Sequence, residues 1–219
     1  DVDIDEINNI TALCFAILKG NIKIVKILLT CANLDINDKH IILRDWINYD
    51  PYIIRKIEKT PLCLAVEKGN IEMIQLLLSN EKLNINDLNI IIKAKNKYDQ
   101  YRAETKLLRR YDEERKSTLS VAIENKKDEI VQLLLKNKKI DVNQKTYSLK
   151  SWKYISIGID LPYEEKMKNE KEFSPLYLSL KKGSIKIFKL LLSKEGIDLN
   201  CINKFTEIKI KRPLNYYDF

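Results

Sequence analysis

Five glycines, five prolines and a single histidine are all that the 219 residues contain. So little glycine and proline argues against a turn-rich β-sandwich or a glycine-rich phosphate cradle. One histidine removes most histidine-dependent catalysis and histidine-based metal sites. The four cysteines, Cys14, Cys31, Cys63 and Cys201, show no CxxC spacing, and they read as reduced thiols of an intracellular protein. No apolar run approaches the ~20 residues that a membrane helix requires, and no signal-peptide pattern opens the chain. Also missing are the GxGxxG, GxxxxGK, HExxH and kinase signatures. The expectation is a protein without an enzymatic centre, cofactor or metal, placed in the cytoplasm with the nucleus left open. Because the first residue is Asp1, the chain is expected to be a segment of something longer.

The charge is abundant but diffuse. The net charge of +8 combines 39 Lys and Arg with 31 Asp and Glu. Residues 1–10 carry −4, and the largest local excess is +3, in 87–116 and again in 174–200. Lysines alternate with acids throughout, which is the pattern of a solvated face, whereas a phosphate-tracking groove concentrates one sign. That weighs against a nucleic-acid partner. The acidic pairs and triplets, Glu164–Glu165 and Asp112–Glu113–Glu114, read in the same way, as solvated surface.

Four blocks of 27 residues align without a gap, at 11–37, 60–86, 117–143 and 174–200, with starts 49, 57 and 57 residues apart. Such internal periods are the signature of repeat architectures. Each block reads as two short antiparallel helices. Thr or Ser opens the first helix as N-cap, and Pro61 and Pro175 follow at the first helical position, where a missing N–H costs nothing. Gly20, Gly69 and Gly183 mark the turn between the helices, which needs a left-handed residue. The second helix carries apolar side chains at spacings of three and four, such as Met73, Ile74, Leu77 and Leu78. Helices this short cannot bury such a face alone, so neighbouring blocks must stack.

TPLCLA at 60–65, IEMIQLLL at 71–78 and LNIN at 83–86 resemble the ankyrin repeat. The resemblance implies an all-α ankyrin-repeat helical solenoid with long insertions between repeats. It divides the chain into a remnant of a preceding repeat (1–10), three repeats each with an insert (11–59, 60–116, 117–173) and a fourth with a C-terminal finger (174–219). It also implies a protein–protein interaction module, a scaffold or adaptor binding a protein partner, monomeric and part of a longer array. Alternatives are a lysine-rich binder of nucleic acid or anionic membrane surface, or a regulatory segment of a larger enzyme. The 32 Lys against seven Arg, with abundant Ile and Asn, resemble ankyrin proteins of AT-rich protozoan genomes. Two departures stand out. The motif's histidine is replaced by Cys14, Cys63, Ser120 and Tyr177, which puts the hydrogen bonds that it makes between repeats in doubt. Lys126 replaces the turn glycine in the third block, which is therefore expected to be the softest.

The connectors 38–59, 87–116 and 144–173 exceed the family's short finger by roughly 15, 23 and 23 residues, and inserts on a solenoid leave one face of the stack. They hold both tryptophans and eight of the eleven tyrosines. Ile91, Ala94, Tyr98, Tyr101, Leu108 and Tyr111 read as one mixed apolar face of a helix, while Gly158 and Pro162 break any single helix in the third insert. Aromatic rings dominate interface hot spots, so Trp46, Tyr49, Tyr52, Tyr98, Tyr101, Trp152 and Tyr154 are the candidate partner-binding residues. The alternative is that the rings fold the inserts back onto their own repeats.

Overall fold

The computed structural model describes residues 5–46, 52–101, 104–157 and 163–213. Within these, only the backbone is described for 5–9, 43–46, 52–55, 95–101, 104–108, 156–157 and 163. In chain order the elements are β1 (Asp5–Asn9), α1 (Ala12–Leu18), α2 (Ile22–Leu29), β2 (His40–Trp46), β3 (Tyr52–Lys59), α3 (Pro61–Lys68), α4 (Ile71–Leu78), β4 (Leu88–Tyr101), β5 (Glu104–Ser117), α5 (Thr118–Glu124), α6 (Asp128–Lys136), β6 (Thr146–Ile157), β7 (Tyr163–Phe173), α7 (Pro175–Lys181), α8 (Ile185–Leu192) and β8 (Lys204–Pro213).

The helix pairs form where the repeat pattern places them. Thr11, Thr60, Ser117 and Ser174 cap the first helices, each hydroxyl accepting the N–H three residues on at 3.1–3.2 Å. Asn21, Asn70 and Ser184 do the same for the second helices, but Lys127 offers no side-chain cap to α6. Ala16, Ala65, Ala122 and Ser179 occupy one equivalent position in the four first helices and are buried, so the helices approach closely. Behind them Val25, Met73, Ile74, Leu77, Val131, Leu134 and Ile187 are fully buried between repeats. The turn residues Gly20, Gly69 and Gly183 have φ of 70°, 79° and 68°. Lys126 takes the same left-handed place at φ 53°, where its Cβ is crowded. A second lysine offsets part of that cost: Lys127 Nζ donates to Val66 O at 2.8 Å and Glu67 O at 2.7 Å, near the end of α3. Carbonyls there lack intrahelical donors and sit at the negative end of the dipole.

The closing asparagine of each of the first three blocks ties it to the next. Asn37 Nδ2 donates to Lys82 O at 2.9 Å while its Oδ1 accepts from Asn84 N at 2.7 Å. Asn86 bridges Lys139 O and Asp141 N in the same way, each at 2.8 Å. Asn143 bridges Gly196 O and Asp198 N at 2.8 and 2.9 Å. The residues that replace the motif histidine find separate solutions. Cys14 Sγ donates to Asp38 O, Ser120 pairs with Ser117 Oγ, and Tyr177 stacks on Phe173 with ring centroids 5.2 Å apart.

The expected all-α class is wrong. More residues lie in strands than in helices, and the strands form one eight-stranded sheet, antiparallel throughout, in the order β1 to β8. Each insert is a hairpin, β2–β3, β4–β5 and β6–β7, and each hairpin also pairs with its neighbour. Residues 88–101 and 104–117, in which a helical face was expected, are two strands paired along their full length, from Leu88 opposite Ser117 to Tyr101 opposite Glu104. Geometry explains the fusion of the hairpins. Packed helices repeat at about 8–10 Å. Two strands occupy about 9.6 Å, twice the usual strand spacing. The hairpins therefore rise from the stack at the spacing at which their edges meet.

Candidate functional site

The long hairpins give the sheet two broad faces. Successive side chains point to opposite faces, and residues directly opposite share one. One face meets the first helices at its base. There Lys59 bonds Glu67 at 2.6 Å, Lys116 bonds Glu124 at 2.8 Å, and Lys181 Nζ sits 4.3 Å from the centroid of Phe173. Phe173, Tyr177 and Phe205 form a small aromatic cluster at this junction. The other face turns away from the helices.

Further out on the helix-side face, Arg110, Trp152 and Met167 lie opposite one another across β5, β6 and β7. They and Tyr154 line a depression of about 630 Å³, with Asp112, Lys150 and Glu165 around it. Three of its four charged residues are paired. Arg110 pairs with Asp112 at 3.1 Å, and Lys211 with Glu165 at 3.1 Å. Trp152 and Tyr154 are half-buried, resting on neighbours with part of each ring open.

The other candidates are not brought into this depression by any described contact. Tyr49 lies outside the described residues. Trp46, Tyr52, Tyr98 and Tyr101 have described backbones, opposite Ile53, Asn96, Leu107 and Glu104, but their side chains lie outside the described residues. Gly158 and Pro162 also lie outside them.

Two acids read as solvated surface are buried instead. Glu164 is 1% exposed on the outer face and binds Lys153 Nζ at 2.6 Å, Lys166 Nζ at 3.0 Å and Arg212 Nε at 2.8 Å. These partners, Lys153 foremost, hold its carboxyl well below the ordinary range, at about 2. Glu113, 7% exposed, accepts from Tyr111 Oη at 2.9 Å and pairs with Arg115. In both cases the neighbouring acid points to the other face, which a run of acids in sequence conceals. The alternation of a strand would have exposed it.

Among the described residues nothing resembles an activated nucleophile. Burial pushes the Cys63 thiol up to about 12 and raises Cys14 as well, so both stay protonated at neutral pH. All four cysteines are free. His40 is buried, and its Nδ1 has no hydrogen-bond partner among the described residues. It lies three residues after the closing asparagine. At the equivalent place in the second block, Asn89 Oδ1 accepts from Thr60 N at 2.9 Å, and in the fourth, Asn203 Oδ1 accepts from Ser174 N at 2.9 Å. The position therefore serves to anchor the finger, and His40 occupies it without that bond. Among the described residues no group of His, Cys, Asp and Glu is placed to hold a metal, and no helix is long and apolar enough to cross a membrane.

Comparison with known families matches the model of ankyrin repeats in three copies to residues 1–89 and 40–146. The single ankyrin repeat model matches residues 171–204. No curated protein matches the chain.

Proposed function

We propose, from the premise that the chain belongs to the ankyrin repeat family, that it binds a protein partner through the surface that its inserts build, with no chemistry of its own. Ankyrin repeats are generally protein-interaction modules and typically non-catalytic. In this reading the units 11–59, 60–116, 117–173 and 174–219 each contribute a helix pair and part of one shared sheet, inside the cell.

The observation that carries the reading is the helix-side depression around Trp152 and Tyr154. Two partly open rings beside Met167, with Arg110, Asp112 and Glu165 next to them already paired, match the composition of interface centres. The aromatic side chains that anchor the sheet to the helices, Phe173 and Tyr177, are a different set. Stability and binding are thus assigned to different rings.

Affinity capture from native cell lysate identifies the partner. Each hairpin is then replaced by a short finger, folding is confirmed by circular dichroism, and capture is repeated. Loss of capture by folded, trimmed protein is the expected result, with Trp152→Ala and Tyr154→Ala weakening binding while leaving the helices intact. Unchanged capture would move the site to the first helices.

A further inference from the structure

The outer face of the sheet holds a second groove, of about 550 Å³, crossing from β4 to β8. Its floor is apolar, made by Ala94, Leu149, Ile208 and Ile210, with the small Ser151 at its middle. The charged side chains that the strand alternation sets on this face are Arg109, Lys153, Lys166 and Lys168, all cations. No acidic side chain lines it among the described residues. Ile208 and Ile210 remain 44% and 47% exposed on β8, the last strand among the described residues, so the core does not account for them.

We infer that this groove is a docking site for an acidic peptide segment of a partner protein, which seats an apolar side chain on the isoleucine floor and sets carboxylates against the basic walls. The inference rests on the preceding reading only in that the partner is a protein. It concerns the opposite face of the sheet.

The charge balance supports an acidic occupant. The nearest buried carboxylate, Glu164, is shared by Lys153 and Lys166, so two of the groove's cations meet one acid. Glu170 is likewise divided between Lys168 at 3.3 Å and Lys204 at 3.7 Å. The surplus is positive and lies beside a low-dielectric floor, where an incoming carboxylate gains more than in open water. A peptide fits better than a nucleic-acid strand. The floor wants an apolar side chain, and these two carboxylates beside the groove would repel a continuous line of phosphates. The volume falls within the range of ordinary ligand pockets, about 300–1,000 Å³.

A random peptide display library panned on the full chain supplies the probe. The most enriched peptide, labelled with fluorescein, is titrated by anisotropy. The expected peptide carries Asp or Glu on both sides of an apolar residue. Arg109→Glu, which reverses one exposed wall charge, should weaken its binding about tenfold. Ser151→Trp, which fills the groove without altering charge, should do the same. Circular dichroism checks that both variants fold. Tyr154→Ala, on the other face, should leave the affinity unchanged. Enriched peptides without acidic residues, or binding indifferent to both groove variants, would overturn the assignment. So would displacement of the peptide by an equal concentration of single-stranded oligonucleotide or phosphatidylserine vesicles. Loss of binding in Tyr154→Ala alone would transfer the peptide to the helix-side depression, sinking this inference while supporting the reading before it.

Discussion

Between the helices, the stacking side chains Leu13, Leu62, Leu77, Leu119 and Ile187 are all but closed to water. Across the central strands of the sheet, Leu149, Trp152 and Met167 are only half-buried, and solvent reaches both faces. The helical layer is thus held by apolar burial between repeats. The sheet is a single layer held by its backbone ladder and by cross-strand pairs such as Lys153–Glu164 and Lys204–Glu170. A layer that buries so little on its own needs a foundation. Here the foundation is the row of contacts from Lys59, Lys116 and Phe173 to the first helices. The comparison teaches that one repeat period can drive two kinds of association, and that the side open to water is the one left available to partners.

Removing a fully buried side chain should test the helical half most severely. Leu77→Ala should cost about 2–5 kcal/mol, read as a lower urea midpoint for the helical signal. A cost under 1 kcal/mol would mean that the repeats do not share that core. The seam between repeats should be weaker. Asn86→Ala removes two bonds, to Lys139 O and from Asp141 N, at an exposed edge, and should cost about 1–2 kcal/mol in the same assay.

On the sheet side the expected effect is confined to acid. The Glu164 carboxyl is lowered from 4.5 to about 2, so the folded state favours its charged form. Its contribution is complete above pH 4.5 and is lost as pH falls toward 2. Glu164→Gln should therefore lower stability at neutral pH and flatten the decline across that window. Parallel declines in both proteins would show that the three cations do not act through Glu164. The smallest change should stabilise. Lys126→Gly relieves a side chain at φ 53° and should gain up to ~1 kcal/mol. A lower melting temperature would show that the backbone relaxes without glycine.

Local chemistry made the helices legible. Thr and Ser caps, the turn glycines and the three-and-four spacing of Met73, Ile74 and Leu77 act within a few residues, so they can be read off the chain. The sheet was not legible in that way. Ile90, Ile91 and Ile92 are consecutive, which blurs the two-residue period, and Ile91 and Ala94 also fit a helical spacing. The decisive partners are remote: β5 pairs with β6 of the next repeat, with Arg110 opposite Trp152. Composition singled out Trp152 and Tyr154 because large rings stand out. It missed Arg109, Lys166, Ile208 and Ile210, which come together only when four separate strands align. Glu164 was misread for a related reason. Beside Glu165 in sequence, it belongs to the opposite face in space.

The match between two strands and one helical step has a mechanical consequence. The sheet is a strip of fixed gauge fastened along one side of a row of springs. Bending that spreads the strip must lengthen hydrogen bonds, whose useful range is only a few tenths of an ångström. Bending about the helical side asks only for small sliding of side chains. The compliance of such an array is one-sided, and its stiffness grows with the length of the hairpins rather than with the number of helices.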